Sequence, residues 1–159
     1  MNDGEIENRI TVLEDIEAIK KLKAEYCDIC DDAHNPDRIV RIFASDGTWE
    51  GAGMGAHTGH PAIRKLFEGF AERIAFSQHN VMNPRIEVNG NRAKGSWYFM
   101  GPFLFRKGNR QLWLTARYED DYVKINGKWK FQHLRAFGRC VAKIDELKPT
   151  AESVSDLVR

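Results

Sequence analysis

AFSQHNVMNPRIEVNGNRAKGSWYFMGPFLFRKGNRQLWLTARYEDDYVKINGKWKFQHLRAFGRCV, running from Ala75 to Val141, is the stretch whose reading decides the fold. Three turn signals divide it: Asn89-Gly90, Lys107-Gly108-Asn109 and Asn126-Gly127. Asn and Gly tolerate the positive φ that tight hairpins demand, so each pair or triplet marks a chain reversal. Strands are expected over 76–88, 92–106, 111–124 and 128–141, far longer than the usual five or six residues. Long antiparallel strands cannot stay flat, and a meander of four of them curls into a wrap.

Upstream of the meander the period changes from two to three and four. Ile16, Ile19, Leu22, Tyr26 and Cys30, with Cys27 alongside, form one stripe of a helix expected over 5–33. Asn35-Pro36 stops it, and a short second helix over 37–44 carries Ile39, Val40 and Phe43. Ser45-Asp46-Gly47 turns the chain into a small strand around Thr48-Trp49-Glu50, and Gly51, Gly53 and Gly55 mark a tight hairpin. A third helix begins near Thr58-Gly59-His60-Pro61, with Ile63, Leu66, Phe67, Phe70 and Ile74 as its buried stripe. Helices first and an antiparallel meander after describe an α+β domain: three N-terminal helices packed on a curved, mostly antiparallel sheet around a conical cavity. One domain spans 1–144, and a polar tail, 145–159, is left for a flexible end or an arm to a neighbouring subunit.

Composition narrows the function. The 159 residues bury enough surface to fold without staples. Lys and Arg total 24 against 23 Asp and Glu, a net charge of +1 with no basic block, which argues against nucleic acid as a partner. No stretch approaches the ~20 apolar residues of a membrane span, and the first thirty residues lack the core of a secretory signal, so a soluble cytoplasmic protein is expected. An open curved sheet leaves an apolar outer face, which predicts a homodimer or homotrimer.

The residues that point to chemistry are a carboxylate and an imidazole. Asp31 lies four residues beyond Cys27, at the edge of the helical stripe, and so points partly inward. His79 opens the first long strand. A partly buried carboxylate needs a partner, and an imidazole arriving from the sheet would satisfy it while becoming an oriented general base. Other motifs have plainer readings. Cys27-x-x-Cys30 sits toward a helix C-terminus, where the dipole opposes thiolate formation, so the pair reads as packed thiols. His57-x-x-His60 has no acid on the same helix face, and no metal site is expected. Gly51, Gly53 and Gly55 lack the order and βαβ setting of a nucleotide loop. The alternation Trp97, Phe99, Phe103, Phe105 reads as a buried sheet face rather than a base-stacking platform.

Taken together, Tyr26-Cys-Asp-Ile-Cys-Asp31, Phe43-Ala-Ser-Asp-Gly-Thr-Trp49, Gln78-His79-Asn80-Val-Met-Asn83 and Gly127-Lys-Trp129-Lys-Phe131 resemble the SnoaL-like branch of the NTF2-like superfamily over nearly the whole chain. Within that branch the chain is similar to the group holding bile acid 7-alpha-dehydratase, hexachlorocyclohexane dehydrochlorinase and scytalone dehydratase, which are cofactor-free lyases. The resemblance implies that Asp31 and His79 form a His–Asp dyad, that Tyr26 touches a leaving oxygen, and that Arg135 or Arg139 supplies a stabilising cation. The strand Ser96-Trp97-Tyr98-Phe99-Met100-Gly101 departs from the pattern, because it carries no further acid or histidine. Trp49, Phe67, Phe70, Trp97, Phe99, Trp113 and Phe137 are expected to line the cavity and to suit a small hydrophobic alicyclic or aromatic molecule. The implied activity is dehydratase-type elimination or isomerisation. A polyketide-cyclase-like ring closure and a non-catalytic ligand-binding or assembly role are the alternatives.

Overall fold

Helix α1 (Asp3–Asp31) starts at Asn2, whose side-chain oxygen accepts the Glu5 N–H at 2.8 Å, with Asp3 and Glu5 in the first turn where the dipole favours negative charge. The structure, a computed structural model, describes residues 2–51 and 53–144. The far end of α1 is closed by two residues in the left-handed region, Ala33 (φ 50°) and His34 (φ 54°), and by the His34 N–H donating to the Cys30 carbonyl. Asn35 then caps α2 (Pro36–Ile42), accepting from the N–H groups of Asp37 and Arg38. Asn35-Pro36 therefore starts the second helix as well as following the first. Phe43 and Ala44, expected to be helical, belong instead to β1 (Phe43–Gly51), because Phe43 is extended and pairs with Phe131.

β2 (Gly55–Thr58) folds back on β1 as a hairpin, and α3 (His60–Arg73) follows with Pro61 in its first turn. The run expected as one strand over 76–88 is two: β3 (Ile74–Ser77) and β4 (Asn80–Asn89), both antiparallel to β5 (Arg92–Phe105), with Gln78 and His79 between them, Gln78 still bonded to the Pro102 carbonyl. β4 is itself shifted in register between Met82 and Arg85, where Asn83 (φ 54°) and Pro84 sit, a tolerable place for proline on an edge strand. A 3-10 turn at Lys107–Asn109 leads into β6 (Arg110–Ile125), and β7 (Lys128–Lys143) completes the sheet. The order is β2-β1-β7-β6-β5-β3, with β4 also on β5; among the described residues the one parallel pairing is that of β1 with β7.

The helices lie in the curve of this sheet. Ile19, Ile29, Ile39, Ile63, Phe67, Phe131 and Leu134 are fully buried there. The core also encloses charge. Lys23 and Asp120 form an ion pair at 2.9 Å with both side chains wholly buried, and Asp120 also accepts the Tyr122 hydroxyl at 2.8 Å. Asp15 accepts the Trp129 indole N–H at 2.8 Å and pairs with Lys124 at 2.5 Å. Buried charges persist when met by an opposite charge and hydrogen bonds; Asp120 Oδ2 takes both of its donors, while Oδ1 has no hydrogen-bond partner among the described residues. Among the described residues, no helix is long and apolar enough to cross a membrane. The 145–159 tail lies outside the described residues.

Candidate functional site

Asp31 is the last residue of α1, and its carboxylate reaches across to the break between β3 and β4. One oxygen, Oδ1, lies 2.7 Å from His79 Nδ1 and accepts the Ser77 hydroxyl at 3.2 Å; the other, Oδ2, accepts the His79 backbone N–H at 2.8 Å. Asp31 thus grips one residue by both its main chain and its ring. A carboxylate at a helix C-terminus faces the negative end of the dipole, and three donors offset that cost. In the tautomer that donates Nδ1–H to Asp31, Nε2 is left with the lone pair, facing away from that contact.

His79, only 6% exposed in its side chain, forms part of the wall of a cavity of about 500 Å³. The same wall holds Tyr26, Cys30, His34, Trp49, Phe67, Phe70, Phe99, Phe103 and Tyr118. Its room comes from small residues: Ala116, Ala136 and Gly138 face inward where β6 and β7 pass behind the cavity. Tyr26 accepts the Trp49 indole N–H at 3.1 Å, and burial holds its hydroxyl protonated far above the ordinary phenol range. Burial likewise raises Cys27, to about 12, and raises Cys30 well above the usual thiol value, so both are neutral thiols rather than a redox pair.

The structure brings Asp31, His79 and Tyr26 to one place, and Trp49, Phe67, Phe70 and Phe99 to the cavity wall beside them. Five expected residues go elsewhere. Trp97 faces inward but deeper, donating to Tyr122 at 3.1 Å in the polar network of Asp120 and Lys23, outside the cavity. Trp113 and Phe137 point to the outer face of the sheet, 39% and 46% exposed, because Leu114 and Ala136 take the inward positions next to them. Arg135 is also outside, bonded to Asp121 at 2.8 Å and to His133, and Arg139 lies over the exposed Tyr98 ring. The cause is a bulge. Trp129 and Phe131 point inward, and unbroken alternation would send Arg135, Phe137 and Arg139 inward too; the extra residue at Gln132 reverses the phase so that Leu134, Ala136 and Gly138 take that face. The neighbours Asp31 and Asp32 also divide their work, since Arg38 pairs with Asp32 at 2.9 Å and leaves Asp31 to the sheet.

Sequence reasoning missed His34, which is 4% exposed, lines the cavity, and stands with its ring 5.9 Å from that of His79. Burial, followed by the nearness of His79, lowers its pKa to about 4, so it is a neutral imidazole at ordinary pH. Its one sequence signal is position, one turn beyond Cys30 on the inward stripe. Ser77 was also missed; it is buried, and its single hydroxyl proton is shared between Asp31 Oδ1 and the Cys30 carbonyl, tying the strand end to the helix end. Cys30, His34 and His79 hold their ligand-type atoms within 4.8 Å of one another, a spacing loose for a shared ion without movement. His57 and His60 bond instead to the Met54 and Phe43 carbonyls.

Solved structures share this architecture. A hexachlorocyclohexane dehydrochlorinase, LinA type 2, superposes with a TM-score of 0.84 at 20% identity, over 91% of this chain and 99% of that one. LinA type 3 from Novosphingobium barchaimii LL02 gives 0.81 at 20% identity, over 91% and 99%. A predicted scytalone dehydratase from Novosphingobium aromaticivorans DSM 12444 gives 0.78 at 22% identity, also over 91% and 99%. At these identities the likeness is one of fold. No curated protein is similar to the chain at a significant level of sequence match. The sequence of the SnoaL-like domain matches residues 11–135, most of the α-helical layer and the sheet, and the chain belongs to that family.

Proposed function

We propose that the protein is a cofactor-independent lyase, or an isomerase, acting on a small hydrophobic alicyclic or aromatic compound with His79 as general base. The observation that carries this reading is the double grip of Asp31 on His79 at the wall of an apolar cavity. His79 Nε2 removes a proton from a carbon next to an activating group; the C–H electrons become the new double bond, and the leaving group departs with its own bonding pair. Asp31 stabilises the imidazolium so formed, and the proton passes on to the leaving group or to water. Tyr26, held neutral, donates its hydroxyl proton as a hydrogen bond to the departing or developing oxygen. The cationic role implied for Arg135 and Arg139 is left out, because both lie on the far face of the sheet. The dehydrochlorinase and dehydratase names among the similar folds are in keeping with elimination chemistry.

The reading includes a soluble, cytoplasmic homodimer or homotrimer. Ile6, Ile10 and Leu13 form an exposed stripe on α1, and Tyr98, Met100, Trp113 and Phe137 lie exposed on the outer sheet face, surfaces that self-association would cover. The test of the chemistry is a panel of β-hydroxy and β-halo cyclic compounds followed by absorbance of the new conjugated double bond. On any substrate so found, His79→Ala is expected to cut turnover by at least ~10²-fold with the fold retained. Equal turnover in a folded His79→Ala variant removes His79 from the mechanism.

A further inference from the structure

The residues lining the cavity include two arginines, Arg73 and Arg110, and no aspartate or glutamate. Asp31 stands behind His79 rather than at the wall, and Glu68 and Glu72 of α3 are exposed outside it. An otherwise apolar chamber with two formal positive charges and two histidines has an electrostatic preference built into its opening.

Both arginines are exposed, and the fold sets each of them beside the cavity. Arg73 ends α3, and Arg110 begins β6; the cross-strand row Ile74, Phe105, Arg110 sets them at the same end of the sheet, and the Arg106 N–H donates to the Arg73 carbonyl at 2.9 Å. Arg73 folds back along its helix, Nε donating to the Gly69 carbonyl at 2.7 Å. Residue 69 is open enough for this because it lacks a side chain: a Cβ there would stand 3.3 Å from Arg73 Nη2. Each guanidinium also lies over a ring of the cavity wall, Arg73 at 5.6 Å from the Phe70 centroid and Arg110 at 5.4 Å from that of Phe105. Neither forms an ion pair among the described residues.

We propose that the cavity takes hydrophobic monoanions, with the apolar body against Phe70, Phe99 and Phe103 toward His79 and a carboxylate or similar anionic group seated between Arg73 and Arg110 at the rim. This rests on the reading of the cavity as a ligand chamber and narrows its substrate class. Guanidinium forks match the geometry of such groups, and stacking on Phe70 and Phe105 reduces the entropy lost when they engage. The seat fixes which end of the ligand enters first, and so which carbon meets His79.

Two fluorescent probes share one ring system and differ in charge: N-phenyl-1-naphthylamine is neutral, and 1-anilinonaphthalene-8-sulfonate carries a sulfonate. Both are expected to bind and to displace each other, with the sulfonate about fivefold tighter at low salt. That preference should shrink on raising salt from about 0.02 M to about 0.3 M, and vanish in the Arg73→Gln/Arg110→Gln variant while the neutral probe binds as before. Failure of the neutral probe to bind overturns the chamber reading and the proposal with it. Neutral binding without a sulfonate preference, or with one that survives the double substitution, overturns the anion seat alone.

Discussion

His34 makes the protein acid-labile by a calculable amount. Its ring is 4% exposed and packed against Phe67 and Phe70. Burial is the main reason that its pKa falls from 6.5 to about 4, the nearby His79 adds to it, and Asp31 opposes it. The folded state therefore resists a proton that the unfolded chain accepts. Above pH 6.5 both states are neutral here and nothing is lost; as pH falls from 6.5 toward 4 the unfolded chain binds more protons, and stability drops. At pH 5 the difference amounts to about 2 kcal/mol, and it levels off near 3 kcal/mol below pH 4. Urea unfolding of the wild type and of His34→Leu, each at pH 7.5 and pH 5.0, isolates this contribution, because the other titrating groups are common to both proteins. The wild type is expected to lose about 2 kcal/mol more than the variant between the two pH values, with unchanged m-values. Parallel losses in the two proteins would refute the assignment of a neutral, burial-held imidazole to this position.

Lys23→Met strands Asp120 in the core without its cation and should destabilise the fold by about 3–5 kcal/mol in urea unfolding, whereas Lys23→Met/Asp120→Leu should recover most of the loss. A single variant within about 1 kcal/mol of wild type would show that the pair is not held as two opposite charges. Gly101→Ala places a Cβ 1.8 Å from the Gln78 carbonyl oxygen and must push away the segment that carries His79, at a cost of about 1–3 kcal/mol and a larger loss of activity, while Gly138→Ala, with nothing within 4 Å, serves as the thermally neutral control. Light scattering at micromolar concentration is expected to give the mass of a dimer or trimer, and a monomer would remove the self-association read from the exposed faces of α1 and the sheet.

Much of this architecture follows from periodicity alone. Stripes at three and four placed α1 and α3, turn residues with positive φ placed the reversals at Gly90, Gly108 and Gly127, and the inward tilt of Asp31 came from its phase relative to Cys27. What periodicity could not place were features set by partners far along the chain. Lys23 and Asp15 interrupt the apolar stripe of α1 and are buried nonetheless, because Asp120 and Trp129 wait for them 97 and 114 residues later. The bulge at Gln132 has no signature in Phe131-Gln-His133, yet it decides the faces from His133 to Gly138, and a second extra residue, Arg139, shifts the register again beyond them. Aromatic side chains were an unreliable guide to the chamber for a related reason: β6 and β7 line it with Leu114, Ala116, Ala136 and Gly138, since an enclosed space exists where side chains are small, and send Trp113 and Phe137 outward.

The interruption between β3 and β4 shows why a site forms at that point of the sheet. In an uninterrupted strand the main-chain groups of His79 would belong to the ladder with β5, and its ring would be confined to one face by the pleat. Here Ser77 still pairs with Phe103 and Asn80 with Met100, while Gln78 holds on through its N–H to the Pro102 carbonyl, its own carbonyl passing close over Gly101, where any side chain would collide. His79 is thereby released from the ladder but pinned at both sides. Its N–H, which would otherwise be left without a partner, goes to Asp31 Oδ2, and the ring turns so that Nδ1 meets Oδ1 of the same carboxylate. Hydrogen bonds to a charged group contribute about 1.5–3 kcal/mol each, so the pair offsets the lost ladder contact and fixes the rotamer and tautomer at once. The flaw in the strand and the orientation of the imidazole have one cause: a carboxylate at the end of α1, 48 residues earlier, satisfies the donors that the break sets free.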